Sequence, residues 1–343
     1  MHMADALLSP ATGGVMWLAS GTAMALASRR LRERADDALV PLMGMLGAFV
    51  FAAQMINFSI PATGSSGHLG GGLLLAILLG RHAAFVVIAS VLTVQALCFA
   101  DGGLLALGAN MFNLGVLPCF VAYPLVYRPL AGSAPSPRRS AIAAVVAALV
   151  GLQLGALGVV LQTVASGISS LPLPTFAALM LPIHAAIGVV EGLATAVLLV
   201  FLHRARPELL SAAAGGEMPH RRPLLLKLAV AAVFTGLVLS WFASTQPDGL
   251  EWSLAHASAS AARPAPQPGV HATLGALQQR VAVLPGYALP EPAAATTHKV
   301  AAESAPWPDV NGGTSLSGLV GGLVTLALVG VIGLGLRWRR RPT

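Results

Sequence analysis

The chain has 343 residues, of which 56% are hydrophobic and only 10% are charged, and its mean hydropathy is +0.77. Soluble domains carry about 25% charged residues, so this composition excludes an ordinary water-soluble protein. The formal net charge of +7 does not indicate nucleic-acid binding, because the basic residues cluster between apolar runs. We therefore predict an all-α, polytopic membrane protein in a lipid bilayer, with no nucleic acid as partner.

Nine apolar segments follow one another along the chain, most of them near the roughly 20 residues that cross a bilayer as a helix. Seven form a predicted bundle in the first part of the chain, and two belong to a second part. The segments are 12–28, 38–58, 69–80, 83–100, 104–127, 140–166, 175–203, 226–243 and 314–336.

The arginine distribution predicts the orientation of the chain. Every second loop is rich in arginine, as in "RRLRER", "SPRR", "HRARP" and "RWRRR". Cytoplasmic loops carry an excess of basic residues, which places the N-terminus outside and the C-terminus in the cytoplasm. No Lys or Arg precedes the first segment, whereas Arg29 and Arg30 follow it. This order is the reverse of a signal peptide, so we expect the first segment to be retained.

The third segment, "LGGGLLLAILLG", is short: as a helix it would rise only about 18 Å, at about 1.5 Å per residue. The composition of the preceding stretch, "NFSIPATGSSGH", predicts irregular backbone. Irregular backbone is tolerated at membrane depth only where it is buried in protein or lines a cavity. We therefore predict a loop that dips into the bundle and ends at His68.

Composition divides the chain into two modules. Residues 1–205 hold the seven-segment bundle, residues 206–225 form a basic cytoplasmic linker, and residues 226–343 hold two segments around a long loop. That extracytoplasmic loop, 244–313, is rich in Ala and Pro and is predicted to have little regular structure.

Ionisable groups inside apolar segments are costly, so each is a functional candidate. Four stand out: His68, Asp101, His184 and Glu191. The last two are seven residues apart and share one helix face; they either line an ion route or form buried hydrogen bonds that lock helices.

Asn110 and Asn113 also share a face, and we interpret them as polar contacts between helices. The dipeptide Gly-Lys does not occur in the sequence, nor does a Gly-x-Ser-x-Gly motif. The phosphate-binding and nucleophile patterns that need them are therefore missing. We predict a transport or binding protein that is not an enzyme and has no catalytic cofactor.

The first two residues, Met1 and His2, can chelate a metal ion. The terminal amine, the backbone nitrogen of His2 and its imidazole would close two fused rings, and a second imidazole would complete four nitrogens. An α-amine titrates near pH 7.7–8.0, so a metal can displace its proton. Planar nitrogen sets suit Ni²⁺ or Cu²⁺. The alternative is that His2 is an ordinary frayed terminal residue.

Four motifs in order, "MHMADALLSP", "SSGHLGGGLLLAILLG", "QALCFADGGLLALGANMFNLGV" and "HAAIGVVEGLAT", resemble the CbiM/NikM family. These are the substrate-binding membrane subunits of energy-coupling-factor transporters for cobalt and nickel. The resemblance covers about residues 1–205. "TQPDGLEWSL" resembles the PDGLE motif of the small CbiN/NikN subunit, so the chain looks like a fusion of both subunits.

The resemblance implies that the N-terminal loop plugs into the bundle from outside and that Met1, His2 and His68 bind the ion. It implies a supporting role for Asp5 and an inner-membrane location. It also implies two partners: a CbiQ/NikQ-like transmembrane coupling protein and a CbiO/NikO-like cytoplasmic ATPase. The opening "MHMADALL" departs from the commoner Met-His-Ile-Pro-Asp-Gly, which leaves the metal preference open between Ni²⁺ and Co²⁺, with a slight lean to nickel.

The second module is expected to assist loading or release without binding the ion. Its motif offers Asp248 and Glu251, which either contact the first module near the N-terminal loop or form a solvated turn. The loop histidines show no recognisable ligand spacing; they are His256, His271 and His298. The main alternative function is a self-sufficient secondary transporter or channel for divalent metals, which inverted repeats would indicate.

Overall fold

The computed structural model describes residues 2–34, 39–169, 171–205, 210, 221–257, 269–289 and 307–338. Its longer helices are α1 (Pro10–Arg34), α2 (Leu39–Gln54), α3 (Gly72–Leu79), α4 (Arg81–Phe99), α5 (Leu107–Ala131), α6 (Pro137–Ser166), α7 (Leu173–Ala205), α8 (Arg221–Leu237), α9 (Gly249–Ala257), α10 (Val270–Val281) and α11 (Gly312–Trp338). Short 3₁₀ turns cover Asp5–Leu7, Leu239–Phe242 and Pro285–Tyr287.

Each of the nine predicted apolar segments overlaps one of these helices, which confirms the all-α membrane class. In the described part of the chain, five helices are long and apolar enough to span a bilayer, namely α4, α5, α6, α7 and α11. The shorter α2 is also apolar. The number of spans and the orientation of the termini stay predictions.

A small hairpin stands where the sequence suggested irregular backbone. Strand β1 (Phe58–Ile60) pairs antiparallel with β2 (Ser65–Gly67), and all three residues of β2 are buried. The predicted short third segment is confirmed as α3, an eight-residue helix whose residues are all buried. The hairpin satisfies the backbone of this stretch inside the protein, so the chain can reach His68 at depth without exposing polar groups to lipid.

Most of α5 is an unusual helix. From Phe112 to Tyr127 it is a π-helix, with Pro118 and Pro124 inside it. Each proline removes a backbone donor, and wide π turns are rare elements that occur often at functional positions. One residue of this stretch, Asn113, lies next to the N-terminal segment described below.

The second module packs against the first through α2, which contacts both α8 and α11. Within the module the two helices approach closely, because Gly236 and Gly318 face each other: a Cβ on Gly318 would overlap the backbone of Gly236. Small residues at helix crossings allow this kind of close packing in membranes.

The prediction that 244–313 has little regular structure is wrong for two stretches, since α9 and α10 form there. Alanine has the highest helix propensity, and the "LEWSLAHA" and "VHATLGALQQRV" runs are free of proline, so they can fold once they dock on the bundle. Of the predicted linker, 206–209 and 211–220 lie outside the described residues, whereas 221–225 form the first residues of α8.

Candidate metal centre

The N-terminal segment is held inside the bundle by its backbone. Met3 is fully buried, and its N–H donates to Oδ1 of Asn110 at 2.8 Å. The carbonyl of Met3 accepts from Nδ2 of Asn110 at 3.1 Å and from the N–H of Gly103 at 2.9 Å. The interpretation of Asn110 as a contact between helices is therefore wrong, because its amide pairs with the N-terminal segment. Asn113 does join two helices, through a pair of hydrogen bonds to Gln162 of α6.

Asp5 fastens the same segment to the loop before α5. Its Oδ1 accepts the N–H of Ala106 at 2.9 Å. Its carboxylate also lies directly over Gly103, where a Cβ would overlap both the carboxylate and the backbone nitrogen of Asp5. Asp5 follows His2 by three residues, and its hydrogen bond holds the N-terminal segment against the loop before α5.

His2 and His68 meet at the centre of this arrangement. Their rings stack with centroids 5.0 Å apart and planes within 13°. Nδ1 of His68 donates to the carbonyl of Leu69 at 3.1 Å, which leaves the ring lone pair on Nε2. Burial lowers the pKa of His2 and lowers the pKa of His68 to about 3. Both rings are therefore neutral near pH 7, the state in which imidazole binds metal.

Asp101 lies beside His2. Its Oδ1 is 3.5 Å from Nδ1 of His2, while its Oδ2 accepts the hydroxyl of Tyr287 at 2.6 Å. Nε2 of His2 is buried and has no hydrogen-bond partner within the described part of the chain.

The part of the second module that lies between α8 and α11 covers this centre. Nε2 of His271 donates to the carbonyl of Leu8 at 2.8 Å, and Nε2 of Gln278 donates to the carbonyl of Gly102 at 2.7 Å. The N–H of Ser66, in β2, donates to the carbonyl of Pro247 at 2.8 Å. The second module therefore touches the N-terminal segment, the hairpin and the loop before α5.

The two acidic residues of the PDGLE-like motif have different positions. Oδ1 of Asp248 accepts the N–H groups of Leu250 and Glu251, both at 2.8 Å, and so caps α9. Asp248 also lines a small cavity together with His68 and His184. Glu251 is exposed on α9, whereas Asp248 lies against residues of the first module.

His184 and Glu191 are both buried on α7, as the sequence predicts, but their hydrogen-bond partners differ. Glu191 accepts the N–H groups of Gly70 and Gly71, at 2.9 and 3.0 Å. Nδ1 of His184 donates to the carbonyl of Met180 at 2.8 Å. Glu191 therefore anchors the turn that follows His68.

We expect Glu191→Ala to lower the stability of the metal-free protein, because two buried N–H groups lose their acceptor at a cost of about 1–3 kcal/mol each. Thermal unfolding in detergent measures the loss, and Glu191→Gln, which keeps one acceptor oxygen, should lose less. The visible spectrum of the bound metal should stay the same. A changed spectrum with unaltered stability would instead make Glu191 a ligand.

Some predicted positions fall away from the centre or outside the described residues. Met1 and His298 lie outside the described residues. His256 is exposed and stacks on Trp252 at 4.0 Å. Within the described ranges, no three His, Cys, Asp or Glu side chains group closely enough to hold a metal ion by themselves.

Sequence reasoning missed Tyr287 and Gln278. Gln278 lies in α10 and Tyr287 in the 3₁₀ turn Pro285–Tyr287, and neither has a spacing or charge pattern that marks it. His271 was noted, but its contact with a backbone carbonyl has no sequence signal.

These helices, with a buried imidazole pair at an inserted N-terminal segment, define a multi-pass membrane protein with a candidate metal centre. A family model described as the cobalt uptake substrate-specific transmembrane region, CbiM, matches residues 2–209, and a PDGLE domain model matches residues 222–338. The chain belongs to the CbiM family and carries a PDGLE domain in the same polypeptide.

Several curated proteins are similar over much of their length. A putative metal transport protein of Haloquadratum walsbyi is 36% identical over 61% of this chain and 93% of its own. The fused nickel transport protein NikMN of Rhodobacter capsulatus is 32% identical over 84% of this chain and 88% of its own. The crystal structure of a truncated transition metal transporter is 29% identical over 60% of this chain and 99% of its own, with a TM-score of 0.48.

Proposed function

We propose that this chain is the metal-capturing membrane subunit of an energy-coupling-factor ABC importer for Ni²⁺ or Co²⁺ in the cytoplasmic membrane. The observation that carries the proposal is the stacked pair of buried, neutral imidazoles, one from the second residue of the chain and one from the loop before α3.

The proposed ligands are the amine of Met1, the backbone nitrogen and imidazole of His2, and the imidazole of His68. Four nitrogens in a plane favour Ni²⁺ over Co²⁺, and Cu²⁺ would bind still more tightly, so its exclusion depends on cellular availability. The Rhodobacter capsulatus relative is named a nickel transport protein, whereas the Geobacter sulfurreducens relative is named a cobalt transport protein. Of the two ions, we propose nickel.

Residues of the chain prepare the centre before the ion arrives. Asn110 and Gly103 hold the backbone of Met3, and this fixes the position of His2 one residue earlier. Glu191 holds the turn that follows His68. Because ligands kept in place by neighbours lose less freedom on binding, these contacts favour tight capture. Chelation by the amine and the backbone nitrogen releases protons, so binding should weaken as pH falls.

The bundle of residues 1–205 would capture the ion, and ATP hydrolysis would take place on CbiO/NikO-like subunits that a CbiQ/NikQ-like coupling protein joins to this chain. Residues 226–343, beyond the linker at 206–225, would assist loading or release without supplying a ligand. Their hydrogen bonds to Leu8, Gly102 and Ser66 support this role, since the N-terminal segment must open for an ion to enter.

We expect His68→Ala to reduce the affinity for Ni²⁺ by more than about 100-fold, because even changes outside the ligand shell commonly cost about 10–100-fold. Nickel titration of the purified chain, with its native N-terminus, measures the loss. His203→Ala is the matched control: His203 bonds the carbonyl of Leu199 near the far end of α7 and should keep wild-type affinity.

Wild-type affinity in His68→Ala would contradict the proposed ligand set and direct attention to His184, in the same cavity. Nickel uptake by cells separates the importer from a secondary transporter. Uptake should disappear when the ATPase partner carries an inactive phosphate-binding loop, and uptake that persists would favour the self-sufficient transporter.

A further inference from the structure

Two consecutive contacts connect Tyr287 of the second module, through Asp101, to the proposed ligand His2. The hydroxyl of Tyr287 donates to Oδ2 of Asp101 at 2.6 Å, and Oδ1 of the same carboxylate lies 3.5 Å from Nδ1 of His2. The first contact is a short hydrogen bond, whereas the second is longer than one. Asp101 is therefore held chiefly by Tyr287, with its other oxygen turned toward the imidazole.

Tyr287 is itself tightly fixed. Its ring stacks on Phe99, at the end of α4, with centroids 4.8 Å apart and planes within 16°. Its φ is 61°, in the left-handed region that few non-glycine residues adopt. Such a conformation persists only where the surroundings determine it, and it is concentrated at functional sites. Next to it, the N–H of Leu284 donates to the carbonyl of Cys98 at 3.0 Å, so backbone also anchors this turn.

The geometry limits how far Asp101 can be from a bound ion. Chelation through the backbone nitrogen and the ring of His2 uses Nδ1, because closure through that atom gives a six-membered ring. A metal–imidazole bond is about 2 Å long. Added to the 3.5 Å between Nδ1 and Oδ1, this places the ion within about 5.5 Å of a carboxylate oxygen. At that distance in a buried site, a negative charge attracts a divalent cation strongly.

We propose that Tyr287 is a positioning residue of the metal centre: it holds the carboxylate of Asp101 toward Nδ1 of His2, where the negative charge of the carboxylate compensates the charge of an ion bound to that nitrogen. This inference rests on the proposed function. It assigns a defined task in ion binding to a side chain of the second module, although that module supplies no ligand.

The test is a double-mutant cycle on the full-length chain with a native N-terminus, titrated with Ni²⁺ in detergent. Tyr287→Phe keeps the ring on Phe99 and removes only the hydroxyl, so we expect nickel affinity to fall about tenfold. Asp101→Asn should lower it about 10–100-fold. Because Tyr287 acts through Asp101, adding Tyr287→Phe to Asp101→Asn should cause little further loss.

Two further readouts separate positioning from packing. The nickel absorption band should keep its wavelength in Tyr287→Phe, since the four nitrogens are unchanged. The ¹⁵N shifts of the His2 ring in the metal-free protein should move, because its carboxylate neighbour is less fixed. Tyr123→Phe is the control: Tyr123 stacks on Tyr127 within α5, and its loss should affect neither affinity nor the His2 ring.

Wild-type affinity in Tyr287→Phe would overturn the inference, and so would full additivity with Asp101→Asn, which would show that Tyr287 acts independently. His2→Ala distinguishes this failure from failure of the proposed function. If His2→Ala still binds Ni²⁺ with wild-type affinity, the proposed ligand set is wrong. If His2→Ala loses binding while Tyr287→Phe is unaffected, only the role of Tyr287 is wrong.

Discussion

Adding two residues ahead of Met1 should abolish tight nickel binding while leaving the helical bundle folded. The extension moves the terminal amine out of reach of His2, so the two fused chelate rings can no longer form. It also adds chain to a segment that is already enclosed, since Met3 and Leu8 are fully buried. We expect affinity to fall by at least about 100-fold, beyond the range of changes outside the ligand shell.

Nickel titration and thermal unfolding of the extended protein check this result. The control carries the same two residues at the C-terminus and should bind like the wild type. Unchanged affinity in the N-terminally extended protein would show that the amine is not a ligand. A fall in the melting temperature of the metal-free protein equal to that of a core mutation would indicate unfolding instead.

Gly103→Val should displace the N-terminal segment and with it His2. A side chain at Gly103 would occupy the space of the Asp5 carboxylate and its backbone nitrogen. It would also disturb the bond from the N–H of Gly103 to the carbonyl of Met3. Because backbone atoms cannot move aside cheaply, we expect the segment to leave its site and nickel binding to be lost.

Gly14→Val is the matched control, because a Cβ on Gly14 in α1 meets no atom within 4 Å. It should retain nickel binding. Proteolysis near the N-terminus gives a second measurement: the Gly103 variant should be cut there faster than the wild type, while cleavage elsewhere stays the same. Tight nickel binding by the Gly103 variant would show that the enclosed segment does not form the centre.

Hydropathy was sufficient to find the helices, because bilayer thickness sets the length of an apolar run and leaves few alternatives. The same argument identified the short α3 and the inward loop before it. It did not predict β1 and β2, since three-residue strands rich in Ser and Gly have almost no pattern of their own. Their pairing depends on burial in the surrounding bundle.

The candidate centre was predicted in part. Residue type and position were enough to single out His2 and His68, and the structure stacks their rings. The partners of Asn110, Glu191 and Asp101 depend on contacts between residues far apart in sequence, which no local pattern specifies. The interpretation of Asn110 as a contact between helices was wrong for this reason. The sequence does not distinguish an Asn that bonds the N-terminal segment from one that joins two helices.

Hydrogen bonds are part of what holds the second module over the centre, beside buried side chains such as Leu250 and Leu284. Each hydrogen bond to a backbone carbonyl, such as those from His271 and Gln278, contributes a net of about 0.5–1.5 kcal/mol. In a fused chain the covering segment remains at a high effective concentration, about millimolar for short flexible tethers. The fusion therefore keeps one covering segment for each centre, however dilute the protein is in its membrane.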